Sequence, residues 1–157
     1  PELVQRFSET RSGGRAMRAI HMPTELVSGV AEMDRQHDQL FNEIVQVKCA
    51  LLEVEDDHED GLALLSRFAE DLIAHFAWEE ETARLQGVRF EEGHIKAHRQ
   101  MTAFIRTKVA EVSRGDCNIP ALMVFMERCF ETHVVQYDLK FGHDLRAGPG
   151  EIPCTNS

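Results

Sequence analysis

Leu65-Ser66-Arg67-Phe68-Ala69-Glu70-Asp71-Leu72-Ile73-Ala74-His75-Phe76-Ala77-Trp78-Glu79 reads as one side of a helix. Leu65, Phe68, Leu72 and Phe76 return at steps of three and four residues, the period of an amphipathic helix. His75 and Glu79 fall on the same stripe at i,i+4, a spacing that puts both side chains on one face. An imidazole and a carboxylate thus stand where a core-facing stripe calls for leucine.

Three more segments repeat the period. The first carries Met33, His37, Leu40, Phe41, Ile44, Lys48, Leu51 and Leu52. The third carries His94, His98, Met101, Ile105 and Val112, and the fourth Leu122, Phe125, Cys129, His133 and Tyr137. Residues 53–60 are a charged run expected to be a solvated loop. Further loops are expected around Gly87 and at Arg114-Gly115-Asp116, and Asn118-Ile119-Pro120 reads as a helix start. No strand-like alternation competes. Four segments of about 20 residues, each about 30 Å long, joined by short loops predict an all-α, up-down-up-down four-helix bundle over residues 22–146. Residues 1–21 are expected to be a flexible arm. They carry Arg6, Arg11, Arg15 and Arg18 against Glu2 and Glu9, and the alternative reading of this basic stretch is a linker or docking arm. Ala147-Gly148-Pro149-Gly150 breaks any helix, so 147–157 is expected to be a tail.

The chain has 157 residues, the size of one domain, with 43% hydrophobic and 28% charged residues, a globular composition. Asp and Glu number 27 against 17 Lys and Arg, and the resulting charge of −10 argues against nucleic acid as a partner. No apolar run approaches a membrane span, and no charged start followed by an apolar stretch marks a signal peptide. Four cysteines lie far apart without a C-x-x-C pair, which suits free thiols in a cytoplasmic setting.

Of eight histidines, His37, His75, His94, His98 and His133 lie on the four inner stripes. One buried imidazole finds a hydrogen bond easily; five facing one another do not, and each orphaned group costs roughly 1–3 kcal/mol. A shared metal removes the conflict. His94 and His98 repeat the i,i+4 spacing of His75 and Glu79. His133 and Asp138 are i,i+5, about 140° apart on a regular helix, so both face one centre only if the helix ends there or loosens into a single π-turn. Imidazole and carboxylate without thiolate suit iron or manganese. Seven ligands exceed the need of one ion. Two ions with Glu79 and Asp138 as bridges and one bridging solvent oxygen use all but one of the positions that two six-coordinate ions offer. A small ligand fits the position left over. The rival carboxylate-rich scheme would use Glu55-Asp56-Asp57-His58 and Glu91-Glu92-Gly93-His94. The first string lies in the charged loop, a glycine interrupts the second, and bridging Glu residues on the other helices are missing.

Several stretches resemble the hemerythrin family, in particular its bacterial hemerythrin-like domains. Met33-Asp34-Arg35-Gln36-His37-Asp38-Gln39-Leu40-Phe41 is similar to the first motif, and His75-Phe76-Ala77-Trp78-Glu79-Glu80 to H-F-x-x-E-E. His94-Ile95-Lys96-Ala97-His98 resembles H-x-x-x-H, and His133 through Asp138 H-x-x-x-x-D. The resemblance spans about residues 22–143. It implies two iron ions with an oxo or hydroxo bridge. His94, His98 and His133 would hold one ion, His37 and His75 the other, and Glu79 and Asp138 would bridge them. The two-His ion would keep the open position, where O2, or azide or NO, binds. Phe41, Phe76, Cys129 and Phe130 are expected to line that pocket. The implied function is reversible O2 binding, as a carrier or store or as a sensor fused to or docked with a signalling domain. No enzyme activity is expected; a di-iron oxidase or peroxidase, or an iron- or NO-handling protein, is the alternative. Departures from the family pattern cluster near the site: Thr82-Ala83 for a common Leu-Met, Val88-Arg89 for a Tyr-Pro, Cys129 for a Trp, and Trp78 as the only tryptophan. They predict a looser pocket wall and faster autoxidation. His21, His58 and His143 are expected at the surface or in loops.

Overall fold

The computed structural model describes residues 22–52 and 58–148, and over these the protein is all-helical, with no strand among the described residues. The long helices are α1 (Ala31–Leu52), α2 (His58–Gln86), α3 (Glu92–Ser113) and α4 (Ile119–His133). A five-residue π-helical turn, Val134–Asp138, joins α4 to α5 (Leu139–Ala147). The expected arm, most of the acidic loop and most of the tail lie outside the described residues. No described helix is long and apolar enough to cross a membrane.

The ends are set by local chemistry. Gly87 follows α2 with φ +65°, and the Val88 N–H donates to the Ala83 carbonyl at 3.0 Å. Gly115 does the same after α3 at φ +73°, with the Asp116 N–H on the Glu111 carbonyl at 2.9 Å. Asn118 caps α4 by accepting from the Ala121 N–H at 3.0 Å. The acidic run is shorter as a loop than its charge suggested: α2 already begins at His58. Glu59 and Asp60 lie in its first turn, where carboxylates favour the positive end of the helix dipole.

The four long helices pack as a bundle, α1 and α3 each against both α2 and α4. Leu40, Ile44, Leu65, Leu72, Ile105, Met123 and Val134 are among its buried core residues. The stripe on α4 differs from the expected one. Leu122 and His133 face inward as expected, but Phe125 is 45% exposed, and Met123, Met126 and Phe130 face inward as well. Leu52, at the end of α1, is also exposed. Lys48 reaches from α1 to the buried Glu127 of α4 at 2.8 Å. At one end, the Asp34 carboxylate accepts from the Ser28 and Gly29 N–H groups at 2.7 and 3.0 Å. Arg146 of α5 donates to the Ser28 carbonyl at 2.6 Å. A side chain on Gly142 would meet Ser28 at 2.8 Å, so this clasp fixes α5 and, through it, the far side of the π-turn.

Glu43 is a buried acid on α1. Gln39 donates to it at 3.1 Å and to Asp71 of α2 at 3.0 Å, and the Arg67 Nε lies 3.7 Å away. Burial and then the neighbouring Asp71 push the Glu43 carboxyl up to about 7. The folded state therefore holds this proton more tightly than the unfolded chain. The contribution is favourable below about 4.5 and is lost as pH rises towards 7. Glu43→Gln is expected to stabilise the protein by about 1 kcal/mol at pH 8, the shift being discounted for solvent screening, and to change little at pH 5. Urea denaturation of both proteins at the two pH values checks this; an equal gain at both would refute it.

Candidate metal centre

Each helix delivers its part: α1 His37, α2 His75 and Glu79, α3 His94 and His98, α4 His133, and the π-turn Asp138. All seven are between 0% and 5% exposed. In the π-turn the Leu139 N–H donates to the Val134 carbonyl, five residues back. The helix thus loosens where the His133–Asp138 spacing required it, and Asp138 turns inward beside His133.

The ligand atoms form two groups, each within 4.8 Å: Glu79, His94, His98 and His133 in one, His37, His75, Glu79 and Asp138 in the other. Glu79 divides its oxygens between them. Oε1 lies 3.8 Å from His75 Nε2, while Oε2 lies 3.1 Å from His98 Nε2 and 3.5 Å from His94 Nε2. Asp138 does likewise. Oδ2 lies 3.2 Å from His37 Nε2, and Oδ1 lies 3.0 Å from His94 Nε2 and 3.2 Å from His133 Nε2.

The donor set fits a cation. The Nε2 atoms of His37 and His75 approach to 3.3 Å, and those of His94 and His133 to 3.2 Å. Nitrogen lone pairs so placed repel unless a proton or a metal lies between them. Both oxygens of Glu79, both of Asp138 and His98 Nε2 are buried without a hydrogen-bond partner. Coordination would satisfy all of them. Two rings are already oriented from behind: His75 Nδ1 lies 2.8 Å from Gln36 Oε1, and His98 Nδ1 lies 3.0 Å from Glu80 Oε1. A proton on each Nδ1 leaves the Nε2 lone pair for a metal.

Burial, then the neighbouring His37, lowers His75 to about 3. Burial, then His94 and His133, lowers His98 to about 2. Both rings are therefore neutral, the form that ligates. At His94 burial opposes charge, but the nearby carboxylates of Asp138 and Glu79 prevail and raise it to about 9. Burial and the Asp138 carboxylate raise Glu79 to about 7. Burial opposes charge on Asp138 too, but the imidazoles of His133, His37 and His94 close beside it hold it well below its ordinary value. Without a cation, one carboxylate keeps its charge at the expense of the other.

Aromatic rings wall the centre. Phe76 stacks on His98 at 4.0 Å between centroids, Phe90 on His94 at 4.4 Å and Tyr137 on His94 at 4.9 Å. Phe130 stands edge-on to His37 at 5.8 Å. Of the expected pocket residues, Phe76 and Phe130 thus lie against site rings and Phe41 is buried in the core. Cys129 is half-buried and lines a lateral groove that reaches His133. Gln36 and Glu80 stood in the quoted stretches without a role, and Phe90 lies in the loop before α3, where no helical period pointed to it. His143 is exposed as expected, whereas His21 lies outside the described residues. Comparison with family models, curated proteins and solved structures found no match to this chain.

Proposed function

We propose that this chain is a hemerythrin-like O2-binding protein, an up-down-up-down bundle around a di-iron centre, serving as carrier, store or sensor. The observation that carries the reading is the unequal division of the nitrogens. Three His nitrogens gather on one side and two on the other, and both carboxylates face both sides. Iron held there by His37, His75, His94, His98, His133, Glu79 and Asp138 would supply reversible binding of a small ligand such as O2, azide or NO. Imidazole-rich ligation favours the ferrous state over oxygen activation. Gln36 and Glu80 fix the rings they touch, Glu79 and Asp138 hold the two sides together, and Phe76 and Phe130 exclude water. Apart from the carboxylates of Glu79 and Asp138 themselves, the groups against these two rings, Phe130 on His37 and Gln36 on His75, are not proton donors of acid strength.

One observation favours the second reading, a di-iron oxidase or peroxidase. A polar recess of about 160 Å³ between α1 and α2, lined by Gln36, Gln39 and Asp71 among others, reaches His75. Water admitted there would reach His75 and favour irreversible oxidation over reversible binding. The test is to reduce the iron-loaded protein anaerobically and mix it with O2. Reversible binding predicts a visible absorption band that forms on mixing and vanishes when O2 is removed. Direct, irreversible oxidation would leave the oxidase reading.

A further inference from the structure

A groove of about 640 Å³ opens between α3 and α4, where the two helices meet only sparsely. Phe68 and Leu72 of α2 form its floor, and Phe104 and Phe125 are among its walls. The volume lies within the range of roughly 300–1,000 Å³ typical of small-molecule sites, and the lining is mostly apolar, as such sites are. Phe104 and Phe125 meet at 4.3 Å, yet Phe125 keeps 45% of its surface exposed at the rim. Arg128 is the one Lys, Arg, Asp or Glu in the lining. It is exposed, and no ion pair involving it occurs among the described residues. A guanidinium without an ion-pair partner among the described residues, beside an apolar trough on a protein of net charge −10, offers an anion a local partner.

We propose that the α3–α4 groove is a binding site for a small apolar anion, a fatty or aromatic monocarboxylate. Its hydrocarbon lies on Phe68 and Leu72, and its acid group meets Arg128. The site requires no metal, so its test stands or falls apart from the di-iron reading.

Decanoate is titrated calorimetrically into the full chain as isolated, with decylamine as the cationic match. Saturable binding of one decanoate per chain is expected, at least tenfold tighter than decylamine. Arg128→Gln, a surface change that leaves the core untouched, should weaken decanoate about tenfold and erase its preference over decylamine. Cys129→Trp should fill the groove and abolish binding while the circular dichroism stays helical. Absence of saturable binding, or equal affinity for the two amphiphiles, would overturn the proposal. So would a concentration-dependent dimer that excludes decanoate, since the groove would then be covered by a second copy.

Discussion

Removal of metal is expected to lower the melting temperature by about 10–20 °C. The metal-free centre leaves both oxygens of Glu79, both of Asp138 and His98 Nε2 buried without hydrogen-bond partners. Each such group costs roughly 1–3 kcal/mol. Partial protonation and relaxation recover part of that, leaving several kcal/mol. For a chain of this size each kcal/mol shifts the transition by about 2–4 °C. Calorimetry of metal-loaded and chelated protein measures the difference, and metal analysis should give two ions per chain before chelation. His133→Ala removes a nitrogen from the three-His side. It should lower the metal content and most of the thermal difference together, because ligation and folding are coupled. Unchanged metal content in that variant, or equal melting with and without chelator, would refute a metal-centred core.

Deleting and inserting one residue in the π-turn are expected to have opposite outcomes. Asp138 reaches inward at i,i+5 from His133 because Val134–Asp138 holds one residue more than a regular turn. Deletion of the exposed Gln136 lets an α-helix place the same carboxylate at i,i+4, on the same face. Metal content should stay at two ions per chain. Insertion of one alanine after Val135 swings Asp138 by about 100° away from the centre. Both groups lose a carboxylate, and bound metal should fall to one ion or fewer. Metal analysis of the two purified variants decides the matter, with circular dichroism to show that each remains helical. Equal metal loss in both would mean that the π-turn is needed for itself rather than for the direction of Asp138.

The seven site residues were legible in the sequence because they break a pattern: imidazoles and carboxylates on stripes that otherwise carry leucine and phenylalanine. A break in the regular helix was legible for the same reason, since an i,i+5 pair cannot share a face on it; of the two outcomes this allowed, a helix end or a π-turn, the structure has the π-turn. The phase of α4 was not. Residues 121–126 are apolar at every position, so helical period alone leaves the inward side undefined, and Phe125 was assigned inward although it is exposed. Glu43 escaped notice because its burial comes from α2 across the interface, in surroundings that include Arg67 and Asp71. The α3–α4 groove also depends on how far apart two helices settle, which no local spacing records. The start of α2 at His58 was hidden by a run of acids that serves a helix N-terminus as well as it serves a loop.

The division of Glu79 and Asp138 between the two groups has a consequence for assembly. The α1–α2 half of the chain owns His37, His75 and Glu79; the half from α3 onward owns His94, His98, His133 and Asp138. Neither half completes its own group, and each lacks the one carboxylate that the other supplies. In the proposed two-ion centre, the first ion to bind would clamp the two halves in register and set the carboxylate for the second. Loading would then be cooperative, and a full centre would mark a chain whose two halves have found each other.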